Sequence, residues 1–211
     1  MPEITLHFAP QSRSIRALWL LEEIGAPFDI VPLSLPRGDH KRPEFLELNP
    51  MGKVPVVVVD GRPVWESPAI VAHLADLFPE ARLAPAPGTP DRADFYRWLS
   101  FATAVMEPAF AEHMAKREGN PRAYGWGDFA SMKAALGEGL GGREWLLPQG
   151  FTGADLLIGG NLGWFMMWAA AAWSDLPGID GYVTRCRERP AHLRAREREA
   201  AILADIEAGR A

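Results

Sequence analysis

The sequence predicts an α/β domain followed by an all-α domain, and three observations carry that prediction. Ile4–Phe8 (ITLHF) and Val56–Val59 (VVVV) are short apolar runs of the kind that fill buried strands. Between them, Ile15, Leu18, Trp19 and Leu21 fall at helical spacing. Beyond the proline-rich stretch 79–90 no strand candidate of comparable quality follows, only helical patterns.

Taken in order, Ile4–Phe8 is a strand, 9–14 a polar turn and Ile15–Ile24 a helix stopped by Gly25 and Pro27. Phe28–Leu35 is a second strand, and strand, helix, strand makes a right-handed βαβ unit with parallel strands. The segment 36–48 is a loop with one helical turn at 43–48. Val56–Val59 and Arg62–Glu66 form a hairpin around Asp60-Gly61, a pair that tolerates positive φ. Pro63 cannot donate to a ladder, so the return strand belongs on the sheet edge. Ser67-Pro68 reads as an N-cap and first helical residue, opening a helix to Leu77. This order, βαβ then ββα, is that of a thioredoxin-like domain. The expected division is a thioredoxin-like domain over 1–80, a linker over 81–90 and an all-helical domain over 91–211. In the latter, Pro90–Arg117 reads as one long helix bent at Pro108, and 128–140 as another. Thr152 and Asp155 have capping-box spacing ahead of the apolar run 156–173. The last helices are 177–189 and 191–208, broken by Pro190.

Composition bounds the function. Hydrophobic residues are 48% of the 211, charged residues 23%, and the net charge is −5, an ordinary globular balance without a basic face for nucleic acid. A single cysteine, Cys186, rules out a disulfide within the chain and suits a reducing, cytoplasmic compartment. The N-terminal residues show no secretory signal. The run 156–173 reaches the lower length of a membrane span, but its glycines, Asn161 and lack of Lys or Arg flanks make it a core helix. Its Trp164, Phe165, Met166, Met167 and Trp168 are expected in that core. The arginine-rich run 185–200 reads as a solvated face. The five histidines are scattered, with no metal-ligand spacing, and the GEGLGG run follows no strand and so is no dinucleotide site.

Two features can bind something. A cis bond at Val54-Pro55 would turn the chain and present the Val54 N–H and C=O to an extended peptide. At Glu66-Ser67, a helix N-terminus and a hydroxyl suit a carboxylate, and Glu66 suits an ammonium, so the pair matches an α-amino acid head group. The plainer alternatives are a surface turn at Pro55 and a simple cap at Ser67. In an open α/β sheet, ligands sit beyond the carboxyl ends of the parallel strands, which points to Ser12, Arg13 and Ser14. The plainer alternative for Ser12 and Ser14 is simple helix capping.

The cis-Pro loop and the Glu-Ser pair resemble the glutathione-binding half of the cytosolic glutathione transferase family. The resemblance runs from about Ile4 to Pro85 and from about Tyr96 to Tyr182, where the FTGAD motif also matches. It implies that Val54 and Pro55 hold the cysteinyl part of glutathione, Glu66 and Ser67 its γ-glutamyl head, and His40 with Lys53 its glycyl carboxylate. Tyrosine occurs only at 96, 124 and 182, and cysteine only at 186, so the tyrosine and N-terminal cysteine chemistries of some classes are excluded. Ser12 falls where theta-like members carry serine, and Arg13 where beta-class members carry cysteine, a departure from both patterns. Thiolate stabilisation therefore stays open between Ser12, Arg13, Ser14 and backbone. By the same resemblance, Met106, Phe110 and His113 would line a site for a small hydrophobic electrophile. The protein would act as a homodimer, with glutathione as co-substrate, no metal, no nucleic acid and no membrane. The implied reaction is conjugation of the glutathione thiolate. A non-catalytic glutathione carrier and a glutathione-dependent isomerase or dehalogenase are the alternatives.

Overall fold

In a computed structural model of the chain, which describes residues 1–117 and 119–210, the first strand is β1 (Ile4–Phe8). Its side chains alternate, with Ile4, Leu6 and Phe8 buried on one face, Thr5 and His7 on the other. The helix α1 (Ser14–Ile24) returns the chain to β2 (Asp29–Pro32), which pairs parallel to β1 with Leu6 opposite Ile30. A short helix α2 (Pro43–Leu48) precedes β3 (Val56–Val59) and β4 (Arg62–Trp65). β3 runs antiparallel to β1 and β4, giving the order β2-β1-β3-β4. Asp60 and Gly61 both take positive φ, 48° and 77°, as a tight hairpin of the sheet's twist requires, and β4 with Pro63 lies at the edge. The helix α3 (Ser67–Leu77) follows.

Two compact units divide the chain, and the division corrects the expected boundary. The first comprises Met1–Ala81 and the described tail from Arg189; the second is Arg82–Glu188. The final helix α9 (Pro190–Glu207) thus belongs with the α/β unit, because it docks on α1. Arg189 meets Glu23 through Nε at 2.6 Å and Nη2 at 2.8 Å, while Arg194 and Arg198 each reach Glu22 at 2.8 Å. Trp19 stacks edge-on against His192 at 4.8 Å. The arginine-rich run expected as a solvated face is therefore an ion-paired docking surface. The expected linker is likewise anchored: Leu83 is buried and its carbonyl accepts from Gly153, while Arg92 donates to the Pro85 carbonyl at 2.7 Å.

Burial works to raise the Glu22 pKa, but the Arg194 and Arg198 guanidiniums outweigh it, leaving the carboxyl below its ordinary value. A depressed folded pKa contributes stability that is present above the unfolded value, about 4.3, and is lost as pH falls through the folded one. Acidification below about pH 4 should therefore loosen α9 from α1. Amide exchange of α9 at pH 3 against pH 6 checks this, and Glu22→Gln should make that difference smaller; an unchanged difference would count against the pairing.

In the second unit, α4 (Pro90–Ser100), a π-helical turn (Phe101–Met106) and α5 (Glu107–Met114) replace the expected single helix bent at Pro108. Pro108 sits at the start of α5, where its missing N–H removes one i→i−4 bond. The buried Asn161 amide donates to the Ala102 carbonyl inside the wide turn at 2.6 Å. The remaining helices are α6 (Phe129–Leu140), α7 (Gly153–Ala169) and α8 (Ile179–Arg187). α7 opens on the expected capping box. Asp155 accepts from the N–H of Leu146 and Thr152 at 2.9 Å, and from the hydroxyls of Thr152 and Tyr182 at 3.0 Å. Burial pushes its carboxyl above the usual range, and these four donors pull the other way.

Among the described residues, the helical stretch Gly153–Trp173 is the one long and apolar enough to cross a membrane. Its first turns are buried on every side, but the expected core placement of its aromatic run is only partly met. Phe165 is buried, whereas Trp164, Met167 and Trp168 are 46, 72 and 65% exposed. Positions 164, 167 and 168 share one helical face, and that face is not covered within the unit.

Candidate functional site

Strand register brings the sequence-predicted residues of the first unit to one end of its sheet. His7 of β1 stands opposite Val56 of β3, and Val56 opposite Trp65 of β4. The chain beyond β1, the loop beyond β2, the residues before β3 and those after β4 therefore all leave at the same end. Both α1 and α3 start there, so the positive ends of two helix dipoles share it.

The β1–α1 turn carries Ser12, Arg13 and Ser14. The Ser12 hydroxyl donates to the Ala9 carbonyl at 2.6 Å and accepts from the Ser14 N–H at 3.1 Å. The fully buried Ser14 hydroxyl lies 3.0 Å from it and accepts from the Ala9 N–H. Both serines thus close the turn through local bonds. Gln11 adopts a left-handed φ of 56°, and its N–H donates to Glu199 Oε1 at 2.8 Å. Arg13 is exposed at the cap position of α1, with no side-chain cap bond to the helix.

The next loop holds His40, Lys53, Val54 and Pro55. The Val54-Pro55 peptide is cis, and Val54 stands just outside the ladder, which begins at Val56. Asn49, which is almost fully buried, shapes the approach: its amide donates to the Lys53 carbonyl at 2.9 Å and its oxygen accepts from the Met51 N–H at 3.0 Å. Gly52 takes a φ of +57°, and a Cβ there would lie 2.7 Å from Lys41 Nζ and 2.9 Å from the His40 carbonyl. Glycine is required at this position by conformation and by space, and its absence of a side chain lets the His40-Lys41 turn press against the Lys53 turn. The Nδ1 of His40 is buried and has no hydrogen-bond partner.

At α3 the cap shifts by one residue from the sequence expectation. Glu66 is the N-cap, with φ 69°, and Ser67 is the first helical residue. No side chain caps this helix, so the Ser67 and Ala69 N–H groups at its start have no intrahelical acceptor. Ser67 is buried and Glu66 exposed. A non-glycine residue at positive φ is strained, and such strain concentrates at functional sites. The arrangement can take a carboxylate on the helix terminus and an ammonium at the Glu66 carboxylate.

Met106, Phe110 and His113 are not brought to a common open surface in their unit. Met106 is wholly buried, and Phe110 is stacked on Phe165 at 4.0 Å beside Trp173. This corrects the expectation that they line an electrophile site: both are core side chains, because an apolar helix face buries against its neighbours before it faces a ligand. His113 is exposed and stacks on Phe129 at 4.0 Å. Among the described residues no cluster of His, Cys, Asp or Glu could hold a metal ion. A cleft of about 560 Å³ under α2, lined by His7, Val31, Arg37, Asp39, Arg42 and Phe45 among others, includes none of the predicted site residues.

Residues 1–76 match the family model for the glutathione S-transferase N-terminal domain. A glutathione S-transferase of Xanthomonas campestris is 30% identical over 166 residues, covering 72% of this chain and 76% of the relative. Glutathione S-transferase 3 of Zea mays is 33% identical over 109 residues, and there the chain spans only 49% of the relative's length. The solved structure of a sphingomonad glutathione S-transferase complexed with glutathione superposes with a TM-score of 0.75 at 30% identity, over 93% of this chain and 98% of that one. The α/β unit with its cis-proline hairpin, the capping box of α7 and these matches together place the chain in the glutathione S-transferase family.

Proposed function

We propose that the protein conjugates glutathione to a small hydrophobic electrophile in the cytoplasm, as in detoxification. The observation that carries this reading is the juxtaposition of the cis Val54-Pro55 peptide with the uncapped start of α3 at Glu66-Ser67, at the end of the sheet where α1 also begins. In this reading the γ-glutamyl carboxylate sits on the α3 terminus and its ammonium at Glu66. The Val54 N–H and C=O pair with the cysteinyl residue, and His40 and Lys53 meet the glycyl carboxylate. The thiol then lies at the β1–α1 turn. A free thiol of this kind has a pKa near ~8.5 and is mostly protonated at neutral pH. The α1 terminus, the Arg13 charge and a hydroxyl donor all favour the thiolate. The thiol loses its proton to solvent, and the thiolate forms a C–S bond at the electrophilic carbon, expelling that carbon's leaving group with its bonding pair or, in an addition, pushing the π pair onto the neighbouring atom, which solvent protonates. Ser12 takes part by turning its hydroxyl from the Ala9 carbonyl toward the sulfur. A homodimer is part of the proposal, and sedimentation at micromolar concentration tests it.

Turnover against a panel of electrophiles, with and without glutathione, tests the reaction. Ser12→Ala should raise the pKa of the bound thiol and lower turnover at neutral pH, with less loss at high pH where the thiol ionises unaided. The double change with Arg13→Ala should extend the loss. Thiolate absorbance against pH reads both. A bound thiol with its free pKa in the parent protein would favour a non-catalytic glutathione carrier instead.

A further inference from the structure

We propose that Glu199 is a positioning residue for the thiol-binding turn, holding it from the C-terminal helix through the main-chain N–H of Gln11. This rests on the glutathione reading given above. Glu199 lies 188 residues along the chain from Gln11, yet its Oε1 accepts from the Gln11 N–H at 2.8 Å. Its other carboxylate oxygen pairs with Arg196. The residue is only 4% exposed, and carboxylates are almost never so buried unless every charge is answered. A hydrogen bond to an ionised acceptor is among the stronger kinds, so this contact is a firm one.

The bond lands on the strained point of the turn. Gln11 is a non-glycine residue in the left-handed region, a conformation that persists only where the surroundings over-determine it. The bonds among Ala9, Ser12 and Ser14 fix the shape of the turn. They do not fix where the turn stands. Glu199 does, and it does so immediately before Ser12 and Arg13, the residues placed at the thiol. Its role is geometric rather than electrostatic. A bare carboxylate near the sulfur would oppose the thiolate, and Arg196 answers that charge. The C-terminal helix is thereby part of the catalytic assembly and not only its support.

The test measures the pKa of bound glutathione by thiolate absorbance, with kcat and KM for an electrophile, in the parent, Glu199→Ala, Glu199→Asp and Glu199→Gln. Glutamine keeps an oxygen at reach of the Gln11 N–H, so its bound-thiol pKa should equal the parent's or fall. Aspartate keeps the charge but is one methylene short, and alanine removes the acceptor. In both, the bound-thiol pKa should rise by about one unit, with kcat at neutral pH down about tenfold, the loss shrinking as pH rises, and KM for the electrophile unchanged. A merely structural residue would lower the melting temperature without moving the pKa. If Glu199→Ala does not fold, the aspartate and glutamine variants decide the matter. Folded aspartate variants with the parental thiol pKa would overturn the proposal, as would a glutamine variant as impaired as aspartate. A parent that binds no glutathione would instead overturn the glutathione reading, and this assignment with it.

Discussion

Glu66→Ala is expected to weaken glutathione binding about five- to 150-fold, the equivalent of about 1–3 kcal/mol for a charged partner removed from a desolvated ligand. Among the described residues, Glu66 is the acidic residue at the α3 start, and the first turn of the helix holds no other to take its place for the ammonium of the head group. Ser67→Ala should cost less, because the helix-terminal N–H groups remain. Ser12→Ala should affect turnover more than affinity, since a thiol contact matters most when the sulfur carries charge. Glu66→Gly separates two roles of one residue. Glycine accepts a φ of 69° without strain, so this variant should fold at least as stably as the alanine variant while still losing the ligand. Titration calorimetry and thermal melts on the same samples read both. Parental affinity in Glu66→Ala would show that the γ-glutamyl group lies elsewhere.

The largest expected loss of stability comes from Asp155→Ala. Alanine would strand the N–H groups of Leu146 and Thr152 and the hydroxyl of Tyr182 inside the helical unit, where water does not reach them. Each stranded buried donor costs about 1–3 kcal/mol, and the loss of the helix cap adds about 1 kcal/mol. A total of at least about 4 kcal/mol should lower the melting temperature by roughly 8–16 °C in a chain of this size. Thr152→Ala should cost less, because it removes a cap and leaves Leu146 and Tyr182 paired. A thermal melt ranks the two, and equal losses would argue that Asp155 does no more than cap. The carboxyl's raised pKa has a sign of its own: burial penalises the charged form, so its contribution declines as pH rises above the ordinary carboxylate range.

The α/β half was legible in the sequence because its signals are local. Four valines, Asp60-Gly61 and Pro63 each state a strand, a turn or an edge within a few residues. The capping box of α7 is local in the same way. The cap of α3 was misplaced by one residue, since nothing in Glu66-Ser67-Pro68 announces a glutamate at positive φ. What was not legible depends on side chains distant in sequence. The arginines of α9 look solvated until Glu22 and Glu23 are set against them, and Glu199 looks like one more charge in a mixed run. The exposed face of α7 was hidden for a different reason: an apolar run states that a helix is greasy all round, not how many neighbours will cover it. Met106 and Phe110 were drawn from the resemblance to a ligand site, whereas the burial of Met106 and the packing of Phe110 against Phe165 and Trp173 are tertiary facts. Glu199 sits among alternating arginines and acids on a terminal helix, and nothing in that run marks it as the buried one.

The wide turn between α4 and α5 also settles a matter of angular phase. Phe95, Leu99, Ala102, Met106 and Phe110 are all buried, so one stripe runs the length of the composite helix. At 100° per residue, a regular α-helix would carry the last of these about 60° past the direction of the first. A turn closed at i→i+5 advances more slowly around the axis and takes back most of that overshoot. The stripe therefore holds closer to one bearing along the composite helix than an unbroken α-helix would allow.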